Sequence, residues 1–535
     1  MLLPSRMMGK VIDECMQKNG PPTSSRINWR CTAAGAAVGL CVLVRVLYFY
    51  HASDAELIAA VPDDAFYYIQ MARHRAVDGF WTFDGTSPAT GFHFLYGYLL
   101  TALFWLFGIV DWRQLFLLIG GGASVSIGLA AGLVARSAEN FYGRKAILLA
   151  VAPFLSPVAL IQSTAMMESW LVLFFSAATI YVLVKDKNSS PGEGIALLIL
   201  GALGSLSRTD YGMLPGALFL AGWISRPLLR GHYLKRSALV LAGAVLGVTI
   251  VLLQNLHISG HLFQASAQTK LHWSSVLGHS FSPPVNLTAS VALPFMEGYG
   301  QTMKVAALLA TLPFLLYSWR IFAREDPGRR DHTRVVVSGC LLTVLGYILL
   351  YRQNSQALWS WYSCNLIAPI GIILAAAGYP LARMKTLLPT GLVFGGYVLM
   401  GAASLITVQW PHQAGMMKAG LFLKQHDPRA ICASWNAGII SYFSGLPLVN
   451  IDGITTDEVL PFIANNNLFD YIKLRDIRYV IDYEEMFKNP ARRVRGGFVD
   501  PRMDRCLRPL EAIDGDSPVW WGSRVRMYEV VRGCD

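Results

Sequence analysis

The stretch "VPDDAFYYIQMARH", residues 61–74, sets two adjacent carboxylates, Asp63 and Asp64, behind a proline and soon after an apolar run that ends near residue 50. Pro62 followed by Asp63 suits a helix start. Ala65, Ile69, Ala72 and Ala76 then recur at three-to-four spacing, which predicts a short amphipathic helix lying on a membrane with Asp63 as its N-cap. Capping needs one carboxylate, not two. Neighbouring carboxylates raise each other's pKa, which brings one of them toward the range of a general base. The pair is therefore a catalytic candidate, against the plainer alternative of a cap beside an interfacial charge.

The surrounding composition decides the class of molecule. Of 535 residues 54% are hydrophobic and 15% charged, far from the roughly 25% charged residues of an average soluble domain, so a polytopic α-helical membrane protein is expected. The net charge of +11 is assigned to cytoplasmic loops rather than to nucleic acid, because the basic clusters fall between apolar runs. The eight cysteines show neither CxxC nor zinc-ligand spacing; Cys506 and Cys534 can pair if their domain is extracytoplasmic. A polar, basic segment 1–30 precedes the first run, which reads as an uncleaved helix.

Apolar runs occur at about 31–50, 92–110, 115–135, 146–164, 168–184, 194–207, 212–225, 237–255, 301–323, 335–351, 365–382 and 386–407. If 92–110 dips in without crossing, loops 1–30, 136–145, 185–193, 226–236, 320–334 and 383–385 share one side and hold 21 Lys and Arg. The opposite loops, 51–114, 165–167, 208–211, 256–304 and 352–364, hold 7. The positive-inside rule then favours about 11 crossings of the inner membrane, with the N-terminus cytoplasmic and the C-terminus outside. The 92–110 run becomes a re-entrant or interfacial helix. Residues 31–407 form the membrane domain, with outer loops 51–114 and 256–300. From 408 to 535 the short runs "RAICAS", "PLVNIDG", "RYVIDY" and "VRMYEVV" predict a small extracytoplasmic α/β domain.

This topology sorts the unusual polar residues to one face: Asp63, Asp64, Glu168, Arg208, Asp210, Lys270, His272, Arg352, Trp361 and Tyr362. Ionisable groups at membrane depth are costly and point to function, although helix-end residues also snorkel to the interface. The sequence "PDDAFYYIQMAR…GFWTFDGTSPATGFHFLYGYLL" resembles the first outer loop of the GT-C membrane glycosyltransferases. "TAMMESWLVLFF", "SLSRTDYG", "SGHLFQASAQTKLHW", "ALWSWYSCNLIAP" and "WNAGIISYFSGLPLVNIDG" resemble later motifs of that superfamily in the same order.

The resemblance implies inverting transfer of a sugar from a polyprenyl-phosphate donor to a glycan, lipid or protein acceptor on the extracytoplasmic side. Asp63 is the first choice as base and Asp64 the second. Arg208, Lys270 and Arg352 would hold the donor phosphate, with His272 available to assist. Glu168 and Asp210 would orient a sugar hydroxyl or pair those cations, and Trp361 and Tyr362 would pack on sugar or lipid. The oligosaccharyltransferase branch carries an acidic pair in its second outer loop for a divalent metal; here "MMES" offers Glu168 alone, so no cofactor is expected. The alternatives are a transporter or lipid flippase, which midplane charges in inverted halves would suit, and a non-catalytic subunit of the same fold.

Overall fold

A computed structural model describes residues 29–535 except 109–110, 186–191, 226, 297–301, 307, 310–312, 314–315, 318–326, 380–387, 514–517, 519–522 and 535. The N-terminal segment and most of the 301–323 run thus lie outside the described residues. Helix α1 (Trp29–His51) leads into α2 (Asp54–Ala60), closed by a reciprocal Ser53–Glu56 capping box, and then into α3 (Asp63–Val77). Next come α4 (Phe94–Phe107), α5 (Trp112–Tyr142), α6 (Ala146–Val151), α7 (Pro157–Ser163), α8 (Ser169–Val184), α9 (Glu193–Ser207) and α10 (Met213–Ile224). The membrane part is completed by α11 (Pro227–Ser259), α12 (Ala265–Leu277), α13 (Ser282–Ala292), α14 (Pro327–Arg352), α15 (Cys364–Ala377) and α16 (Leu388–Ser404).

Among the described residues five helices are long and apolar enough to cross a membrane, or six if the pair bent by 56° before Pro157 is one span; α4, α8, α9 and α16 are shorter apolar helices. The chain is a multi-pass membrane protein. At 14 residues, α4 is about 21 Å long and falls short of the ~30 Å hydrocarbon core. It packs on α3 instead.

Small residues let these helices touch. Gly35 and Gly39 of α1 meet Gly128 and Gly132 of α5 so closely that a Cβ on Gly35 would stand 2.4 Å from the Gly128 carbonyl oxygen. Ten residues along α1 from Gly35, Arg45 is fully buried. Its guanidinium donates to Thr164 Oγ1 and to the carbonyls of Ser404, Leu405 and Thr407, capping the end of α16 with a positive charge.

Helix α17 (Gln413–His426) opens the C-terminal domain and packs on α2. Its sheet has strands β1 (Cys432–Ser434), β2 (Leu448–Asn450), β3 (Tyr479–Tyr483), β4 (Leu507–Ala512) and β5 (Val525–Val530), in the order β2-β1-β3-β5-β4. The first three pair in parallel and β3-β5-β4 antiparallel. Helix α18 (Ala437–Ser444) follows β1 and faces α3. Cys506 and Cys534 are disulfide-bonded.

The domain is clasped to the loop between α3 and α4. Arg475 donates to Asp84 at 2.8 Å, Thr86 at 2.7 Å, Ser87 at 2.6 Å and Glu458 at 3.1 Å. Gly91 lies against the Ile454 carbonyl, where a Cβ would come within 1.8 Å, and the Thr90 N–H donates to the Thr455 carbonyl at 3.1 Å.

Candidate active site

The two carboxylates of α3 diverge, because successive side chains on a helix point about 100° apart. Asp63 does not cap its own helix; Pro62 is the N-cap residue and makes no side-chain cap bond. The Asp63 carboxylate instead reaches α18, accepting the N–H of Ile439 at 2.6 Å and of Gly438 at 3.3 Å. It thus satisfies two of the open donors of a helix whose own N-cap, Asn436, gives no cap bond. A Cβ on Gly438 would meet the Asp63 backbone oxygen at 2.4 Å, so glycine makes the approach possible. One turn on, the Tyr67 hydroxyl accepts the Ala437 N–H at 3.0 Å, and Gln70 donates to Ser441 at 3.1 Å. Burial pushes the Asp63 carboxyl up to about 7; the two N–H bonds oppose this and the Asp64 charge adds to it.

Asp64 interacts electrostatically with Lys270 and Glu168. Burial raises its pKa, Lys270 pulls it down and Glu168 pushes it up. Lys270, on α12, donates to the Tyr362 hydroxyl at 2.6 Å. Burial favours the neutral amine, yet Tyr362 and Asp64 outweigh it and hold the ammonium above its ordinary range.

Behind this pair lies a charged knot. Arg208, at the end of α9, binds Asp210 through two hydrogen bonds of 3.0 Å and Glu168 through one of 2.5 Å. Tyr351 donates to Asp210, and the guanidinium lies 4.5 Å from the centre of the Tyr362 ring. Glu168 precedes α8 in a loop where Met166 has φ 52°, a left-handed conformation that costs a non-glycine residue energy. Its carbonyl is held by the Tyr96 hydroxyl at 2.5 Å. His93 lies 3.6 Å from Glu168, and burial lowers its pKa to about 4, so at neutral pH it is uncharged.

The structure thus gathers Asp64, Glu168, Arg208, Asp210, Lys270 and Tyr362, with Trp361 stacked on Tyr362 at 6.3 Å. Two residues singled out in the sequence stand elsewhere. Arg352 is exposed with its guanidinium over Phe281, and His272 lies two residues beyond Lys270, hence on another face of α12. Arg208 is in place, but its charge is matched by two carboxylates, which leaves Lys270 as the cation beside Asp64.

Sequence reading missed His93, Tyr351 and Asp452. His93 sits inside the quoted "GFHF" and Tyr351 directly before Arg352; their signal was position alone. Asp452, at the end of β2, is buried and feels the charges of Asp64 and Asp63, and burial sets its pKa well above the ordinary range. Among the described residues no three His, Cys, Asp or Glu side chains are grouped to hold a metal ion. A divalent metal does not fit between Glu168 and Asp210, because the Arg208 guanidinium already bridges them.

Three solved structures are similar over most of the chain. ArnT from Cupriavidus metallidurans bound to undecaprenyl phosphate has a TM-score of 0.58 at 13% identity, covering 94% of this chain and 98% of that one. The archaeal oligosaccharyltransferase AglB from Archaeoglobus fulgidus, in complex with an inhibitory peptide and a dolichol-phosphate, has a TM-score of 0.54 at 11% identity, covering 93% and 76%. An Archaeoglobus fulgidus oligosaccharyltransferase tethered with an acceptor peptide containing the NVT sequon gives 0.53 at 12%, covering 91% and 76%. The chain shares its fold with these solved structures. Residues 406–528 match a family described as a domain of unknown function (DUF8728), and no curated protein matches the chain.

Proposed function

We propose that the chain is an inverting glycosyltransferase that moves one sugar from a polyprenyl-phosphate donor to an acceptor on the extracytoplasmic side. The observation that carries this reading is Asp64: a carboxylate with no hydrogen-bond partner among the described residues, beside the Lys270 ammonium and its Tyr362 partner. The two similar enzymes, one holding undecaprenyl phosphate and the other dolichol-phosphate, support a lipid-phosphate donor.

Asp64 takes the proton of the acceptor hydroxyl as its oxygen attacks the anomeric carbon. The bond from that carbon to the phosphate oxygen breaks, and the electron pair stays on the phosphate. Lys270 and the Tyr362 hydroxyl receive that growing charge, which needs a cation rather than an acid. The Glu168–Arg208–Asp210 knot positions Tyr362 by holding a guanidinium on its ring. Asp63 docks the C-terminal domain and fixes the helix on which Asp64 stands.

The test is release of free polyprenyl phosphate from polyprenyl-phosphate sugars by the protein in lipid nanodiscs, with an envelope extract as acceptor source. Release by wild type and its loss in Asp64→Asn and Lys270→Ala support the proposal. Equal release by all three overturns it.

A further inference from the structure

At the far end of α3 from the carboxylates lies a second site. A cleft of about 460 Å³ is formed by Arg75 in the last turn of α3, Trp81 beyond it, Tyr98 on α4, and Gln254 and His257 at the end of α11. Eleven residues separate Arg75 from Asp64, about 16 Å along a helix, so the cleft is distinct from the site above.

Two of its buried polar atoms, one donor and one acceptor, have no hydrogen-bond partner. The Arg75 Nε is buried without a hydrogen-bond partner, and among the described residues no carboxylate pairs with that guanidinium. Gln254 donates to the Tyr98 hydroxyl at 3.1 Å while its own Oε1 is buried and unpartnered. The lining carries Arg75 and His257 and no acidic residue. Around the mouth Val77 is 63% exposed, Phe80 44%, Trp105 63% and Leu256 46%, with the Asp78 carboxylate among them paired to His74 at 2.6 Å. A buried cationic donor inside an apolar rim at a membrane interface suits an anionic group attached to a hydrocarbon tail, and suits neither half alone.

We infer that this cleft binds the phosphate headgroup of an anionic bilayer phospholipid, with Arg75 and His257 on the phosphate oxygens and the acyl chains running over Phe80 and Trp105. The ligand is a resident lipid that seats α3 and α4 against α11, separate from any donor lipid at Lys270.

The experiment uses the full chain in nanodiscs of phosphatidylcholine with a minor fraction of phosphatidylglycerol, and lipids retained after ejection from the disc are counted by native mass spectrometry. Wild type should retain one phosphatidylglycerol in at least tenfold preference to phosphatidylcholine. Arg75→Gln and His257→Gln should each lower that retention about tenfold, Arg75→Lys should restore much of it, and Asp64→Asn should leave it unchanged. Equal retention by wild type and the two Gln variants overturns the inference. Displacement by millimolar inorganic phosphate, or by polyprenyl phosphate at equal concentration, overturns the bilayer-lipid assignment in favour of a soluble anion or the donor lipid. If Arg75→Gln does not fold, His257→Gln decides alone.

Discussion

On the proposed function the neighbours Asp63 and Asp64 do different work, and substitution separates them. In Asp64→Asn, transfer should fall at least about a hundredfold, the lower range for a lost general base, while donor binding and thermal stability stay near wild type. Asp63→Ala strands the N–H groups of Gly438 and Ile439, and an unsatisfied buried donor costs about 1–3 kcal/mol. Its defect should appear as a lowered melting temperature. The pH dependence follows from the carboxyl at about 7. The folded state holds this proton more tightly than the unfolded chain, whose Asp titrates near about 3.9. The contribution is therefore fully present below that value and is lost as pH rises through about 7. Wild type should lose thermal stability between about pH 4 and pH 7 relative to Asp63→Asn, and parallel profiles would count against the assignment. The pair itself was legible in the sequence; the bonding of Asp63 to α18 was not, because its partners lie more than 370 residues away.

At the scale of elements, the contact between α3 and α18 depends on one missing side chain. Gly438→Ala should destabilise the protein by about 1–3 kcal/mol, the range for overpacking a tight contact, measured by thermal unfolding in detergent. The elements themselves were largely readable. "RAICAS", "PLVNIDG", "RYVIDY" and "VRMYEVV" each contain a strand. The fifth, "LRPLEA", escaped because Pro509 and its charges break the alternation, a pattern an edge strand tolerates and β4 is at the edge. Contacts between distant elements, such as the Arg475 clasp, leave no local periodicity to read. Arg475→Ala should speed proteolysis at the 84–91 loop without changing Cys506–Cys534 pairing.

For the whole molecule, the excess of Lys and Arg in one set of loops predicts a sidedness that labelling in intact cells can check. Cysteines at Asn140 and Lys185 should resist an impermeant thiol reagent, and those at Phe80, His279 and Lys473 should react. Labelling at Asn140 but not at Phe80 would reverse the topology and move Asp64 to the wrong compartment for a flipped donor.

The cap that Asp63 places on α18 carries a consequence in time. Helix α3 leaves the ribosome some 370 residues ahead of Gly438 and Ile439. Until then the Asp63 carboxylate lacks its docking partners, and the helix that carries Asp64 packs on α4 but not on α18. On the proposed function, a nascent chain that lacks the C-terminal domain is inactive and gains activity when that domain docks. A chain stopped at residue 430 should insert, reach normal abundance and transfer nothing, and co-expression of the missing piece as a separate exported polypeptide should restore activity in proportion to its binding.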